Sequence, residues 1–240
     1  MLELTAPRPY PDHRAGPTAD RSGSLQVIAK KTPPTVFVVD DDESVRGSLK
    51  FLLRSASLES RACGSAQEFL EAYDPAQAGC LVLDVRMPGM SGLELQQELN
   101  LRGAIIPVIF ITGHGDVPMA VEAMQHGAHD FLQKPFKDED LIERVRRALA
   151  KDAKARTALE EHKSIRLRLQ SLTAREREVL ALMVKGKPNK VMAHELGVSQ
   201  RTIEIHRARV MEKSGASSLA ELVRMVMDVE PELAPTPQAD

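Results

Sequence analysis

The chain has 240 residues, of which 42% are hydrophobic and 28% charged, with a net charge of −2. That composition suits one large or two ordinary folded domains and argues against wholesale disorder. No apolar run approaches the ~18 residues of a membrane span, and the first residues lack the charged start and apolar stretch of a secretory signal, so a cytoplasmic protein with no membrane partner is expected.

Aromatic residues make up only 3% of the chain, with no Trp, which predicts aliphatic cores. The two cysteines, Cys63 and Cys80, lie in apolar surroundings without metal-ligand spacing. They read as buried free thiols of a reducing compartment. The small net charge conceals an asymmetry. Residues 34–140 hold 8 Lys and Arg against 17 Asp and Glu, whereas residues 141–229 hold 19 against 11. An acidic half joined to a basic half suggests different partners for each, nucleic acid being compatible with the second.

Residues 1–33 are rich in proline and keep no helical or strand period, which predicts a disordered arm. From Thr35 the pattern changes. Three short apolar runs follow: Val36 to Val39, Cys80 to Leu83, and Pro107 to Ile111, ending in Asp40, Asp84 and Thr112 respectively. Continuous runs of this length suit strands buried on both faces of a parallel sheet. Weaker strands fit 58–62 and 129–132. Ser65 with Glu68, and Ser91 with Glu94, have the spacing of capping boxes before apolar stripes. Strands alternating with helices predict a doubly wound α/β domain over 34–150.

Residues 137–171 form a long charged helical stretch. Leu141, Val145 and Leu149 are spaced to pack on the sheet, and residues 151–171 read as an extended linker helix with only a weak coiled-coil seam. Residues 172–229 show no strand signal and open on a third capping box, Thr173 with Glu176. A small all-α domain of four helices is expected there, with a disordered tail over 230–240. Within it, a helix from Pro188 to Leu196 with Val191, Ala193 and Leu196 inward, a turn at Gly197, and a second helix capped by Ser199 give a helix-turn-helix. On the second helix Ile203, His206 or Arg207, and Val210 face inward. Arg201, Glu204, Ile205, Ala208 and Arg209 face outward, placed to read a major groove, while Thr202, Lys190 and the amides at Ser199 are placed to hold phosphates.

Parallel α/β sheets bind ligands beyond the carboxyl ends of their strands. Those ends carry Asp40, Asp41, Asp84, Thr112 and, after the fifth strand, Lys134. Crowded carboxylates call for a cation, and few hard oxygen ligands suit Mg²⁺. A carboxylate beside such an ion can attack phosphorus, with Lys134 and Thr112 contacting phosphoryl oxygens.

Four segments carry a resemblance: Val39-Asp-Asp-Asp-Glu-Ser-Val45, Leu83-Asp-Val-Arg-Met-Pro-Gly-Met-Ser-Gly-Leu93, Ile111-Thr-Gly-His-Gly-Asp-Val-Pro-Met-Ala-Val121 and Asp130-Phe-Leu-Gln-Lys-Pro-Phe136. Together they resemble the motif set of receiver domains. Leu172-Thr-Ala-Arg-Glu-Arg-Glu-Val-Leu180, Pro188-Asn-Lys190, Glu195-Leu-Gly-Val-Ser199 and Arg201-Thr-Ile-Glu-Ile-His-Arg207 are similar to the LuxR-type domain. The whole chain resembles the NarL/FixJ family of two-component response regulators, nearest its FixJ-like branch.

The resemblance implies a flavodoxin-like five-stranded receiver and a non-enzymatic regulator phosphorylated on Asp84. Asp41, Asp84 and the Arg86 carbonyl would bind Mg²⁺, with Asp40 acting mainly through metal-bound water. Thr112 and Phe131 would form the switch pair, and Lys134 would bridge to the phosphoryl group. It implies a sensor histidine kinase and double-stranded promoter DNA as partners, with homodimerisation through the last helix, about 218–228, and it leaves RNA polymerase open as a further contact. Met192 and Ser214 stand where the family pattern commonly has isoleucine and leucine. Glu204 either accepts from a cytosine amine or orients Arg201 or Arg207.

Two other readings compete. A phosphohydrolase with Asp84 as nucleophile needs an acid for the leaving group, commonly two residues on, where this chain has Arg86. A DNA-binding protein with a merely structural receiver would not need all five rim residues.

Overall fold

The computed structural model describes residues 33–113 and 117–233. Apart from Pro33, the N-terminal segment read as an arm lies outside the described residues, as does His114. Five short strands, β1 (Thr35–Val39), β2 (Glu59–Cys63), β3 (Gly79–Asp84), β4 (Val108–Thr112) and β5 (Asp130–Gln133), form one parallel sheet in the order β2-β1-β3-β4-β5. This is the flavodoxin-like order, with the reversal between β1 and β3. Helices α1 (Glu43–Ser55), α2 (Ala66–Ala72), α3 (Gly92–Leu101) and α4 (Val117–Gln125) connect the strands, and α5 (Asp138–Gln170) follows β5.

Every residue of β3 and β4 is buried, as apolar runs without alternation require. Alternate strand residues feed two layers, because side chains on a strand point to opposite faces. Val36, Val38, Val82, Ile109 and Ile111 pack with Leu49 and Leu53 of α1 and Leu141, Val145 and Ala148 of α5. Phe37, Val39, Leu81, Leu83 and Phe110 pack on the other face with Phe69, Leu95 and Leu99. The core on that side is not purely aliphatic. Phe37 meets Phe69 edge to face at 5.4 Å, and Tyr73 stacks on Phe69 at 5.1 Å, so three of the few aromatic rings sit together.

The remaining described helices, α6 (Ala174–Val184), α7 (Asn189–Leu196), α8 (Gln200–Ser214) and α9 (Leu219–Val229), build an aliphatic core with Leu169 of α5. Ser91 and Thr173 both make complete capping boxes. Ser65 makes half of one, because the Glu68 carboxylate turns past it to accept from the Gly64 amide at 2.6 Å.

Three expectations for the helical lobe need correcting. In α7 it is Met192, fully buried, that faces the core, while Val191 is 36% exposed. A helix of two turns has no long stripe to fix its phase, so Met192 takes the place expected for Val191, while Ala193 and Leu196 face the core as expected; Pro188 serves as N-cap rather than first helical residue. The segment expected to be a tail is folded through Leu233: Glu230 pairs with Arg177 at 2.9 Å, and residues Pro231–Leu233 form one 3₁₀ turn. An ion pair 53 residues apart in sequence, with Leu233 against the core, outweighs the prolines that suggested disorder.

Candidate functional site: an acidic rim and an exposed recognition helix

Asp40 follows β1, Asp84 ends β3, Thr112 ends β4 and Lys134 follows β5, so strand order alone brings them to one edge of the sheet. Lys134 Nζ donates to Asp40 Oδ2 at 2.9 Å and to Asp84 Oδ1 at 3.1 Å. The other oxygen of each carboxylate accepts a backbone N–H: Asp42 N to Asp40 Oδ1 at 2.9 Å, and Arg86 N to Asp84 Oδ2 at 2.8 Å. Both acids are buried, at 2% and 8% exposure.

Burial pushes the Asp84 carboxyl above the usual range, against the pull of Lys134 and the Arg86 amide. Burial works the other way on the Lys134 ammonium, but hydrogen bonds to Asp40 and Asp84 outweigh it and raise its pKa. The two directions are consistent. One ammonium faces two carboxylates, so it is richly compensated while each carboxylate receives a share.

Three further features build the rim. Gly92 opens α3 against β3, where a Cβ would stand 2.2 Å from the Asp84 carbonyl oxygen, so no side chain fits there. Thr112 is buried, and its carbonyl accepts from the Lys134 amide at 2.8 Å. Phe131 is half-buried on β5, paired in register with Phe110 and packed against the same core as Leu83.

Asp41 does not join the others as expected. Its side chain is exposed, at a bend in the chain, whereas Asp40 beside it is buried. Among the described residues, no three Asp, Glu, His or Cys side chains stand together at ion-binding spacing. The donor set nevertheless fits a small hard cation in kind: carboxylate oxygens of Asp41 and Asp84 and the Arg86 main-chain carbonyl. Arg46 on α1, not singled out by the motifs, donates to the Asp40 carbonyl oxygen at 2.8 Å. Its signal in the sequence is only an i+4 position on the helix capped by Asp42.

The helical lobe presents a second surface. Ser199 caps α8, its hydroxyl accepting from Thr202 N at 3.1 Å. Arg201, Glu204, Ile205, Ala208 and Arg209 are all exposed along α8, Lys190 is exposed on α7, and Thr202 is half-buried. Ile203 and Val210 are fully buried, which fixes the outward face. Glu204 stands 3.4 Å from Arg201. Ile205 is 44% exposed, an apolar side chain in a polar row.

Comparison with known proteins agrees with both halves. Residues 36–146 match the response regulator receiver domain, and residues 170–226 match the bacterial regulatory proteins of the luxR family. The transcriptional regulatory protein FixJ of Azorhizobium caulinodans is 52% identical over 192 residues, covering 80% of this chain and 91% of that protein. A low-resolution structure of the response regulator StyR superposes with a TM-score of 0.74 at 48% identity, covering 81% of this chain and 98% of that one. Full-length FixJ from B. japonicum gives a TM-score of 0.51 at 44% identity, covering 82% and 97%. The chain therefore belongs to the FixJ-like response regulators, transcription regulators of two-component systems in which a receiver domain is joined to a luxR-type DNA-binding domain.

Proposed function

We propose that Asp84 accepts a phosphoryl group from a sensor histidine kinase and that the modified receiver favours dimeric binding to promoter DNA. The supporting observation is the Lys134 ammonium held between Asp40 and Asp84 at the strand ends. In the transfer, an Asp84 carboxylate oxygen forms a bond to phosphorus, the bond to the kinase imidazole breaks, and the imidazole keeps that electron pair. Mg²⁺ bound by Asp41, Asp84 and the Arg86 carbonyl, with Asp40 reaching it through water, would offset charge on the phosphoryl oxygens. Lys134 neutralises a further oxygen, and the Thr112 hydroxyl donates to another.

A dianionic group at Asp84 draws Thr112 toward it, and Phe131, half-buried beside Phe110, takes up the space released. The domains run over 34–150, a linker helix over 151–171, and a DNA-binding domain from 172. On α8, Arg201, Glu204, Ile205, Ala208 and Arg209 read base edges, while Lys190, Ser199 and Thr202 hold phosphates. Leu222 and Val226 of α9 are fully buried, so Leu219, 39% exposed, and the half-buried Val223 are left for a second copy of the chain. No described helix is long and apolar enough to cross a membrane. The proposed location, beside promoter DNA, is the cytoplasm. RNA polymerase is the further partner we propose on the promoter.

Incubation of the full chain with a small phosphodonor and Mg²⁺ tests the chemistry. Intact mass should rise by one phosphoryl group, and Asp84→Asn should abolish the gain. Continuous turnover of phosphate esters would instead favour a hydrolase. DNA recognition is tested on a duplex selected by the full-length protein from a random pool: Lys190→Gln should lower the salt slope by about 1, and changes at Ala208 or Arg209 should alter sequence preference.

A further inference from the structure

The receiver core ends along α5 at Ala148 and Leu149. One to two turns further on, the helix is fastened to the receiver again by a buried charge pair. Asp152 is 1% exposed, and its Oδ2 accepts from the Gly79 amide at 2.9 Å. Arg156 Nε donates to both oxygens of Asp152, at 3.0 and 2.8 Å. The rest of its fork reaches three successive carbonyls before β3: Nη1 to Pro75 and Ala76 at 2.9 and 3.2 Å, and Nη2 to Gln77 at 2.7 Å. Gly79 has no room for a side chain, since a Cβ would lie 2.0 Å from the Thr35 carbonyl oxygen, so backbone and carboxylate meet directly.

Both ends of this clamp lead somewhere. Gly79 is the first residue of β3 and Asp84 its last. The strand is wholly buried and paired with β1 and β4, so it behaves as a stiff rod about 17 Å long. In the other direction α5 continues into the helical lobe, where Leu169 is fully buried in the core. Arg168 Nη1 donates to the Ser214 carbonyl at 2.8 Å, holding the C-terminus of α8. A packed leucine would stabilise such a junction as well as an ion pair does; what a buried, directional pair adds is registry.

We propose that the Asp152–Arg156 pair is the coupling element through which the state of Asp84 reaches α8: it fixes the register of α5 against β3. This rests on Asp84 being the phosphoryl acceptor. Asp152 and Arg156 are positioning residues and take no part in the transfer. With the clamp broken, α5 beyond Leu149 is released from the receiver, and a change at the rim no longer biases the DNA-binding lobe.

The test uses full-length wild type, Asp152→Asn, Arg156→Lys and the exposed control Lys154→Gln. Each is treated with phosphodonor and Mg²⁺, followed by intact mass, and titrated with a duplex selected from a random pool by the wild type. Allosteric couplings typically span roughly 5- to 150-fold, and the wild-type affinity ratio between phosphorylated and unphosphorylated protein is expected in that range. Arg156→Lys keeps charge and stem but cannot reach three carbonyls and a carboxylate at once. It and Asp152→Asn should take up phosphoryl groups as the wild type does while the ratio falls to within about twofold of unity; Lys154→Gln should keep the full ratio. A wild-type ratio in Arg156→Lys, or an equal loss in Lys154→Gln, would overturn the inference. Failure of the wild type itself to take up a phosphoryl group would remove the reading beneath it, and is told apart because it appears before any variant is compared.

Discussion

The ammonium of Lys134 stands 3.1 Å from the Asp84 carboxylate and is the cation that the strand-end acids share. Truncating it leaves Asp40 and Asp84 buried without a counter-charge. Breaking a fully buried pair costs about 3–5 kcal/mol. Because a quarter of the Lys134 side chain is exposed, Lys134→Ala should cost less, about 2–3 kcal/mol at neutral pH. Urea unfolding in chelator should show that loss, and millimolar Mg²⁺ should recover part of it.

Asp84 itself is held in a place that disfavours its charge, chiefly through burial. A carboxyl raised in the folded state contributes stability below its unfolded pKa and loses it as pH rises through the folded value. Asp84→Asn should therefore stabilise the protein at pH 7, by about 0.5–2 kcal/mol. The advantage should shrink as pH falls toward 3.8, the ordinary value for aspartate. Thermal melts of both proteins across pH 3.5–7 (about the range set by these values) check the sign: a destabilised Asp84→Asn at neutral pH contradicts it.

Glu176 presents the opposite case in the helical lobe. The Lys213 ammonium at 2.6 Å, then the Thr173 amide at 2.8 Å, hold its carboxyl down to about 2. A depressed carboxyl contributes stability above its unfolded pKa and loses it as pH falls through the folded one. Glu176→Gln should cost about 1–3 kcal/mol at pH 7. That cost should fade between pH 4.5 and about 2, as followed by urea denaturation in far-UV circular dichroism.

Both thiols should resist reagents in the folded protein. Burial, with the negative charge of Asp152 adding to it, pushes the Cys80 thiol up to about 12, and burial raises Cys63 as well. Thiolate, not thiol, is the nucleophile. A colorimetric thiol titration should find little reaction in native buffer and two thiols in concentrated urea; rapid native labelling of Cys80 would contradict the packing around β3.

Much of this architecture is written locally. The runs Val36 to Val39, Cys80 to Leu83 and Val108 to Ile111 announce buried strands, and the residue that closes each run is the one the sheet brings to the rim. The outward row on α8 follows from Ile203 and Val210 at helical spacing. Where partners are distant, the sequence is mute. Asp152 sits in a helix dense with charges and looks solvated there, because its partner is a backbone amide 73 residues earlier. Glu230, beside a proline, looks like the start of a tail because Arg177 lies 53 residues away. Asp41 and Asp40 share one motif, and only the direction of the chain after β1 separates an exposed side chain from a buried one.

Because α5 completes the sheet's core at Leu141 and the helical core at Leu169 without a break, the joint between the lobes has a phase as well as a length. One residue inserted between Arg156 and Ile165 would swing everything beyond it around the helix axis by about 100°, whereas seven residues make nearly two whole turns. Exchange of DNA-binding modules among such chains is thus constrained like the meshing of gears: a graft succeeds in steps of the helical repeat, whatever the sequence of the spacer.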